Sequence, residues 1–170
     1  MSKALCIRPA LLPDLAALCR VRYAEMPGIH ADRILASDGV ASAYLVAARG
    51  QDIVGFGVLQ IERPERWDDP HGQFPMVIDL FVDAAQRGQG YGRALLGAME
   101  QLAAACGKAA LHLSVEPLEN PRALALYRRL GYAPLQDAPY HSQWRFTDSQ
   151  GVEHSGAEWV IDMRKPLDKS

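Results

Sequence analysis

Arg87-Gly88-Gln89-Gly90-Tyr91-Gly92 lies between a strand-like run, Met76 to Val82, and a helix-like run, Arg93 to Cys106. Three glycines in such a short stretch let a backbone approach a polyanion closely. The first turn of the following helix adds N–H groups that have no partner within the helix. The stretch therefore predicts a phosphate-binding turn at a strand-to-helix junction. The plainer reading is a tight turn in which glycine only relieves strain. Two glycines would serve that purpose, and a third beside Arg87 favours an anion.

Two common nucleotide loops do not fit this stretch. The dinucleotide pattern G-x-G-x-x-G, started at Gly88, requires glycine where Arg93 stands. The loop G-x-x-x-x-G-K-[ST] requires a lysine followed by serine or threonine, and none follows these glycines. What remains is R-x-x-G-x-G.

Outward from the glycines, strand and helix signals alternate. Upstream, Ala4 to Arg8 predicts a strand, and Pro13 with Asp14 opens a helix carrying Leu15, Leu18, Cys19 and Arg22. Met26 to His30 interrupts it, and Ala31 to Ala36 forms a second short helix. Ala43 to Ala48 and Ile53 to Ile61 read as strands joined by a turn at Arg49 to Asp52. Glu62 to Phe74 is a polar, proline-rich loop.

Downstream, the helix presents Leu95, Met99, Leu102 and Cys106 on one face and stops at Gly107. Ala110 to Val115 is a strand. Asn120 caps a further helix with Pro121 at its first position, burying Ala123, Leu126, Tyr127 and Leu130. The tail is β-like at Gln143 to Phe146 and Trp159 to Met163. A meander of strands followed by alternation with helices gives a mixed α/β sheet in a single domain over residues 1–170.

At 170 residues the chain is long enough for a core without disulfides or metal. A formal net charge of −2 argues against a general grip on nucleic acid. Three cysteines (Cys6, Cys19, Cys106), without a C-x-x-C pair, exclude a disulfide framework and read as buried free thiols. His141 and His154 lack a second metal ligand at useful spacing. No apolar run reaches membrane-spanning length and no signal-peptide core opens the chain, so a cytoplasmic location is expected.

Three linked segments carry a resemblance: Asp79-Leu80-Phe81-Val82, the hexapeptide itself, and Asn120 to Tyr127 with Leu130-Gly131-Tyr132. In this order, between Ile53 and Tyr132, they resemble the GNAT superfamily of N-acetyltransferases, whose pyrophosphate loop is Q/R-x-x-G-x-G/A. The resemblance implies a mixed, mostly antiparallel sheet of six to seven strands, splayed at the cofactor slot and flanked by about four helices. It implies acetyl-CoA as donor and CoA as product. Backbone of Leu80, Phe81 and Val82 would pair with the pantetheine arm and polarise the thioester carbonyl. Arg87, the N–H groups of Gly88, Gln89, Gly90, Tyr91 and Gly92, and Arg93 would hold the pyrophosphate, and Asn120 would contact the cofactor.

Acetyl transfer to an amine needs a neutral amine, a polarised carbonyl and a proton for the departing thiolate. Tyr127 matches the family tyrosine that supplies this proton; as a plain core residue it would pack with Ala123, Leu126 and Leu130. Asp79, disfavoured in a strand, is a candidate to orient or deprotonate the amine, or a structural carboxylate at the splay. His112, Ser114 and Glu116 alternate along the next strand, and His112 has a suitable intrinsic pKa. The base stays unassigned.

The acceptor would meet Glu25 to Asp38, the loop Glu62 to His71 and Tyr140 to Trp144. In that loop carboxylates beside Trp67 would suit a cationic amine, and a solvated loop is the plain alternative. A small-molecule amine is the first expectation for the acceptor. A protein N-terminus or lysine is the second, and a non-catalytic CoA-binding sensor the third. No nucleic acid or membrane partner is expected, and a homodimer is left open.

Overall fold

The computed structural model describes residues 3–64 and 72–168. Among the described residues, eight strands and four helices follow the predicted order. They are β1 (Leu5–Pro9), α1 (Leu15–Val21), α2 (Pro27–Ala36), β2 (Ser42–Arg49), β3 (Asp52–Gln60), β4 (Met76–Val82), α3 (Tyr91–Ala105), β5 (Ala110–Val115), α4 (Pro121–Arg129), β6 (Ala133–Pro134), β7 (Tyr140–Thr147) and β8 (Glu153–Pro166). The sheet runs β1-β2-β3-β4-β5-β8-β6, with β7 paired to β8. All neighbours are antiparallel except β4 and β5. The eighth strand is the two-residue β6, too short to leave a sequence pattern.

β2 and β3 are buried on both faces, which explains their nearly unbroken apolar sequence. One core joins Leu45 and Ala47 of β2 to Leu95, Leu96, Met99 and Ala103 of α3. The opposite face packs Tyr44, Val46, Phe56 and Val58 against Leu18 of α1. Met99 is fully buried at the α3 interface. Met99→Ala is expected to lower stability by about 2–5 kcal/mol in denaturant unfolding.

Several boundaries differ from the sequence reading. α2 begins at Pro27, not Ala31, because proline is well suited to a first helical position and Gly28 is tolerated there. α3 begins at Tyr91, so Tyr91 and Gly92 belong to its first turn, not to the preceding loop. Its buried face is Tyr91, Leu95, Leu96, Met99 and Ala103, whereas Cys106 caps the helix and is exposed. Cys6 is exposed on edge strand β1 and Cys19 is half-buried, so the thiols are free but not buried as expected. The face of α4 is only half-buried, with Ala123, Leu124, Tyr127 and Leu130 packed against the edge of the core.

A bulge in β4 sets up the site. Val58 is opposite Asp79 and Leu59 is opposite Val77, which leaves Ile78 without a partner on β3. The extra residue reverses the inside–outside phase. Val77, Leu80 and Val82 then all reach the α3 core, while Phe81 packs towards the α1 side.

Candidate active site

β4 and β5 pair over only two positions, Met76 with His112 and Val77 with Leu113. Beyond the bulge they separate, so the edge of β4 over Asp79 to Val82 is left without strand pairing on the β5 side. That edge leads through a short turn, in which the Asp83 carboxylate accepts the Ala85 N–H, directly into the glycines.

Gly88 and Gly90 adopt φ of 80° and 84°, the left-handed region that favours glycine. A Cβ on either would point into open space. Among the described residues, no backbone carbonyl accepts from the N–H groups of residues 88–93; the first helical bond runs from the Ala94 N–H to the Gly90 carbonyl. These donors, at a helix N-terminus and without a backbone acceptor among the described residues, fit a pyrophosphate in chemistry, and the glycines beside them leave room.

The loop's side chains mostly brace it. The Tyr91 ring is buried and its hydroxyl donates to Gln89 Oε1 (3.0 Å), while Gln89 Nε2 donates to Gln86 Oε1 (3.2 Å). Arg87 Nε donates to the Val82 carbonyl (3.0 Å), which leaves its other nitrogens facing outward over the Phe81 ring. Arg93 is exposed on the first turn of α3. Asn120 occupies the N-cap position of α4 as expected, but its side chain makes no capping bond. The amide is exposed.

Tyr127 projects from α4 with its ring edge-on to Tyr132 (6.0 Å between centroids). Tyr132 is in turn held by Glu100, to which its hydroxyl donates (2.9 Å), and Lys165 pairs with the same carboxylate. Burial pushes the Tyr127 phenol up to about 12, helped by the charge of Asp79.

Asp79 is densely engaged. Its Oδ1 accepts from Arg22 (3.1 Å), and its Oδ2 accepts from Arg33 (2.8 Å) and the Tyr23 hydroxyl (2.9 Å). Tyr23 has φ of 64°, uncommon for a non-glycine residue and strained for a bulky one. His30 Nε2 donates to the Arg22 carbonyl (2.7 Å), so in the neutral ring Nδ1 accepts from the Tyr44 hydroxyl.

The β5 residues raised as candidates face other partners. His112 Nδ1 donates to the Pro75 carbonyl (3.1 Å), at the closed end of the splay. Ser114 donates to the buried Asp162, which also accepts from Gln136 (3.0 Å) and Tyr140 (2.9 Å). Glu116 sits beside Glu158, and partial burial together with that neighbour pushes its carboxyl up. Most of the loop read as an acceptor contact, including Trp67, lies outside the described residues; Glu62 pairs with Lys108.

Burial lowers the pKa of both His30 and His112. Each therefore holds a proton less readily in the fold than in the unfolded chain, where it titrates near pH 6.5. The unfolded chain then binds more protons as pH falls through that value, so stability falls on acidification. The thermal midpoint should be level above about pH 7 and decline between about pH 6.5 and 5.5, before most carboxylates titrate. A flat profile over that window would show that burial does not lower either ring's proton affinity.

Sequence reading missed Tyr23 and Arg33 as partners of Asp79, His30 beside Tyr23, and Asp162 altogether. The one signal was Arg22, a cation at apolar helical spacing. Among the described residues no group of three potential ligands could hold a metal ion, and no helix is long and apolar enough to cross a membrane.

Residues 14–132 match the model of the acetyltransferase (GNAT) family. An IAA acetyltransferase from Azospirillum brasilense is 37% identical over 90 residues, 53% of this chain and 54% of that protein. The match thus spans about half of each. Among solved structures, the ribosomal-protein-S18-alanine N-acetyltransferase from Escherichia coli superposes with a TM-score of 0.66 at 20% identity, over 98% of this chain and 96% of that one. The PaiA N-acetyltransferase from Thermoplasma acidophilum, solved in complex with coenzyme A, gives 0.69 at 17% identity, over 96% and 99%. Both likenesses concern the fold.

Proposed function

The chain belongs to the GNAT acetyltransferase family, and from that premise we propose that it transfers acetyl from acetyl-CoA to a primary amine within one ternary complex. The observation that carries the reading is the splay: a β4 edge released from β5 after two paired positions, running into left-handed glycines and an open helix N-terminus. Acetyl-CoA brings an activated thioester. The β5-facing edge of β4 over Leu80 to Val82, unpaired by any strand, suits the pantetheine arm, with the Val82 carbonyl already engaged by Arg87 Nε. The N–H groups of residues 88–93 suit the pyrophosphate, with Arg87 and Arg93 adding positive charge and the exposed Asn120 amide reaching from α4.

Tyr127 donates a hydrogen bond to the leaving sulfur. A phenol at about 12 stays protonated at neutral pH. It is also too weak an acid to lose that proton for good to a thiolate whose thiol has a pKa of about 8.5. Its hydroxyl therefore stabilises negative charge on sulfur. The net proton comes from the amine nitrogen, which sheds one as the C–N bond forms and the C–S bond breaks.

Asp79 acts as a positioning residue. A carboxylate holding two guanidiniums and a phenol would have to surrender those bonds to accept a proton. Asp79→Asn should raise the acceptor KM by about tenfold, because both arginines lose their ionic partner. The acidic limb of the kcat/KM pH profile should stay where it is. Loss of that limb would make Asp79 the base instead.

The test of the activity is CoA release from acetyl-CoA across a panel of small amines, protein N-terminal peptides and lysine peptides. Release dependent on a small amine supports the proposal. Release with peptides alone assigns a protein acceptor, and tight acetyl-CoA binding without release assigns a sensor.

A further inference from the structure

We propose that the acceptor is an amine carrying its own carboxylate or an equivalent anionic group, which the Arg22 and Arg33 guanidiniums hold on the α1–α2 side of β4. The proposal rests on the acetyl-transfer reading and names the acceptor class for the same site. Its basis is a charge imbalance beside the splay. Two guanidiniums converge on the single carboxylate of Asp79, whose side chain is only 7% exposed. The nearest titratable neighbours do not offset the surplus. His30 brings no negative charge, and Asp32, next to Arg33, turns its carboxylate to the Ser149 N–H (2.9 Å), with no ion pair to either guanidinium among the described residues. Arg87 adds a third guanidinium, stacked on the Phe81 ring that Arg22 also covers (5.1 and 4.6 Å).

Arg22 has capacity to spare. Only its Nη1 is hydrogen-bonded; Nε and Nη2 have no acceptor among the described residues, and the side chain is 39% exposed. Its plane is fixed between the Tyr23 and Phe81 rings (4.7 and 4.6 Å). A preorganised guanidinium with two outward N–H groups on one edge matches a carboxylate in bidentate geometry. The strained Tyr23 backbone keeps the phenol on Asp79, so the cluster is held in place at some conformational expense.

The same imbalance aids the chemistry. A net positive surrounding disfavours an ammonium and so favours the neutral amine that attacks. A polyamine or a lysine in a basic peptide would add like charge here. An amino-acid-type acceptor brings the missing negative charge itself.

The test uses matched acceptors: L-alanine, L-phenylalanine and L-glutamate, each as the free acid, the α-carboxamide and the decarboxylated amine, with CoA release as readout. For at least one set, kcat/KM of the acid should exceed that of the carboxamide by about tenfold or more, the scale of a charge-assisted hydrogen bond. In Arg22→Gln that ratio should collapse towards one, and Arg22→Lys should restore part of it. Circular dichroism on each variant checks that it folds. Carboxamides or decarboxylated amines turned over as well as the acids overturn this proposal while leaving acetyl transfer intact. A ratio unchanged in Arg22→Gln does the same. Turnover of no acceptor, of either charge, overturns both readings.

Discussion

Replacing Tyr127 by phenylalanine is expected to lower kcat by about a hundredfold or more, with acetyl-CoA affinity nearly unchanged. The phenylalanine ring keeps the edge-on contact with Tyr132, and Tyr132 keeps its bond to Glu100, so α4 remains seated. What would be lost is the hydroxyl proposed to donate to the leaving sulfur. Steady-state kinetics for turnover and calorimetry for acetyl-CoA binding separate the two effects. A parent-like kcat would remove Tyr127 from the mechanism. A large loss of acetyl-CoA binding would make it a wall of the slot. The plain core role weighed for Tyr127 in the sequence is compatible with the first result, since a half-buried ring can pack and still present its hydroxyl.

Gly90→Val should abolish most acetyl-CoA binding, by about a hundredfold or more. Two causes act together. At φ of 84° a β-branched residue is strongly disfavoured, which will pull the first turn of α3 out of shape. The side chain also projects from the turn into open space, where it would crowd an anion held by the N–H groups of residues 88–93. Gly90→Asn separates these causes, because asparagine tolerates the left-handed region better while still carrying a side chain. Calorimetry with acetyl-CoA, alongside thermal unfolding, reads both. If asparagine restores stability but not affinity, occlusion dominates. If the valine variant binds normally, the glycine turn is not the pyrophosphate grip.

The glycine turn, β4 and β5 were legible because each depends on local signals: apolar runs bounded by turn residues, and glycines at a strand-to-helix junction. What escaped was set by contacts distant in sequence. Simple alternation along Met76 to Val82 puts Val77 and Asp79 on one face. The bulge at Ile78 separates them, and nothing in that heptapeptide announces it. Arg22, Tyr23 and Arg33 meet Asp79 across more than forty residues, so no spacing rule could join them. The cysteines were misjudged for a related reason. Apolar neighbours argue for burial, but Cys6 lies on an edge strand and Cys106 at a helix end, and position in the fold decided.

The two-position contact between β4 and β5 also has a mechanical meaning. In the backbone hydrogen-bond layer it is the only link between β1–β4 on one side and β5–β8 on the other, among the described residues. The sheet is two leaves on a short spine. A pantetheine arm lying along the free edge of β4 would lengthen that spine and stiffen the whole layer. Amide hydrogen exchange should then slow on acetyl-CoA binding in both leaves, including strands that never touch it. The donor would thereby serve as a temporary strut of the fold, released each time the product leaves.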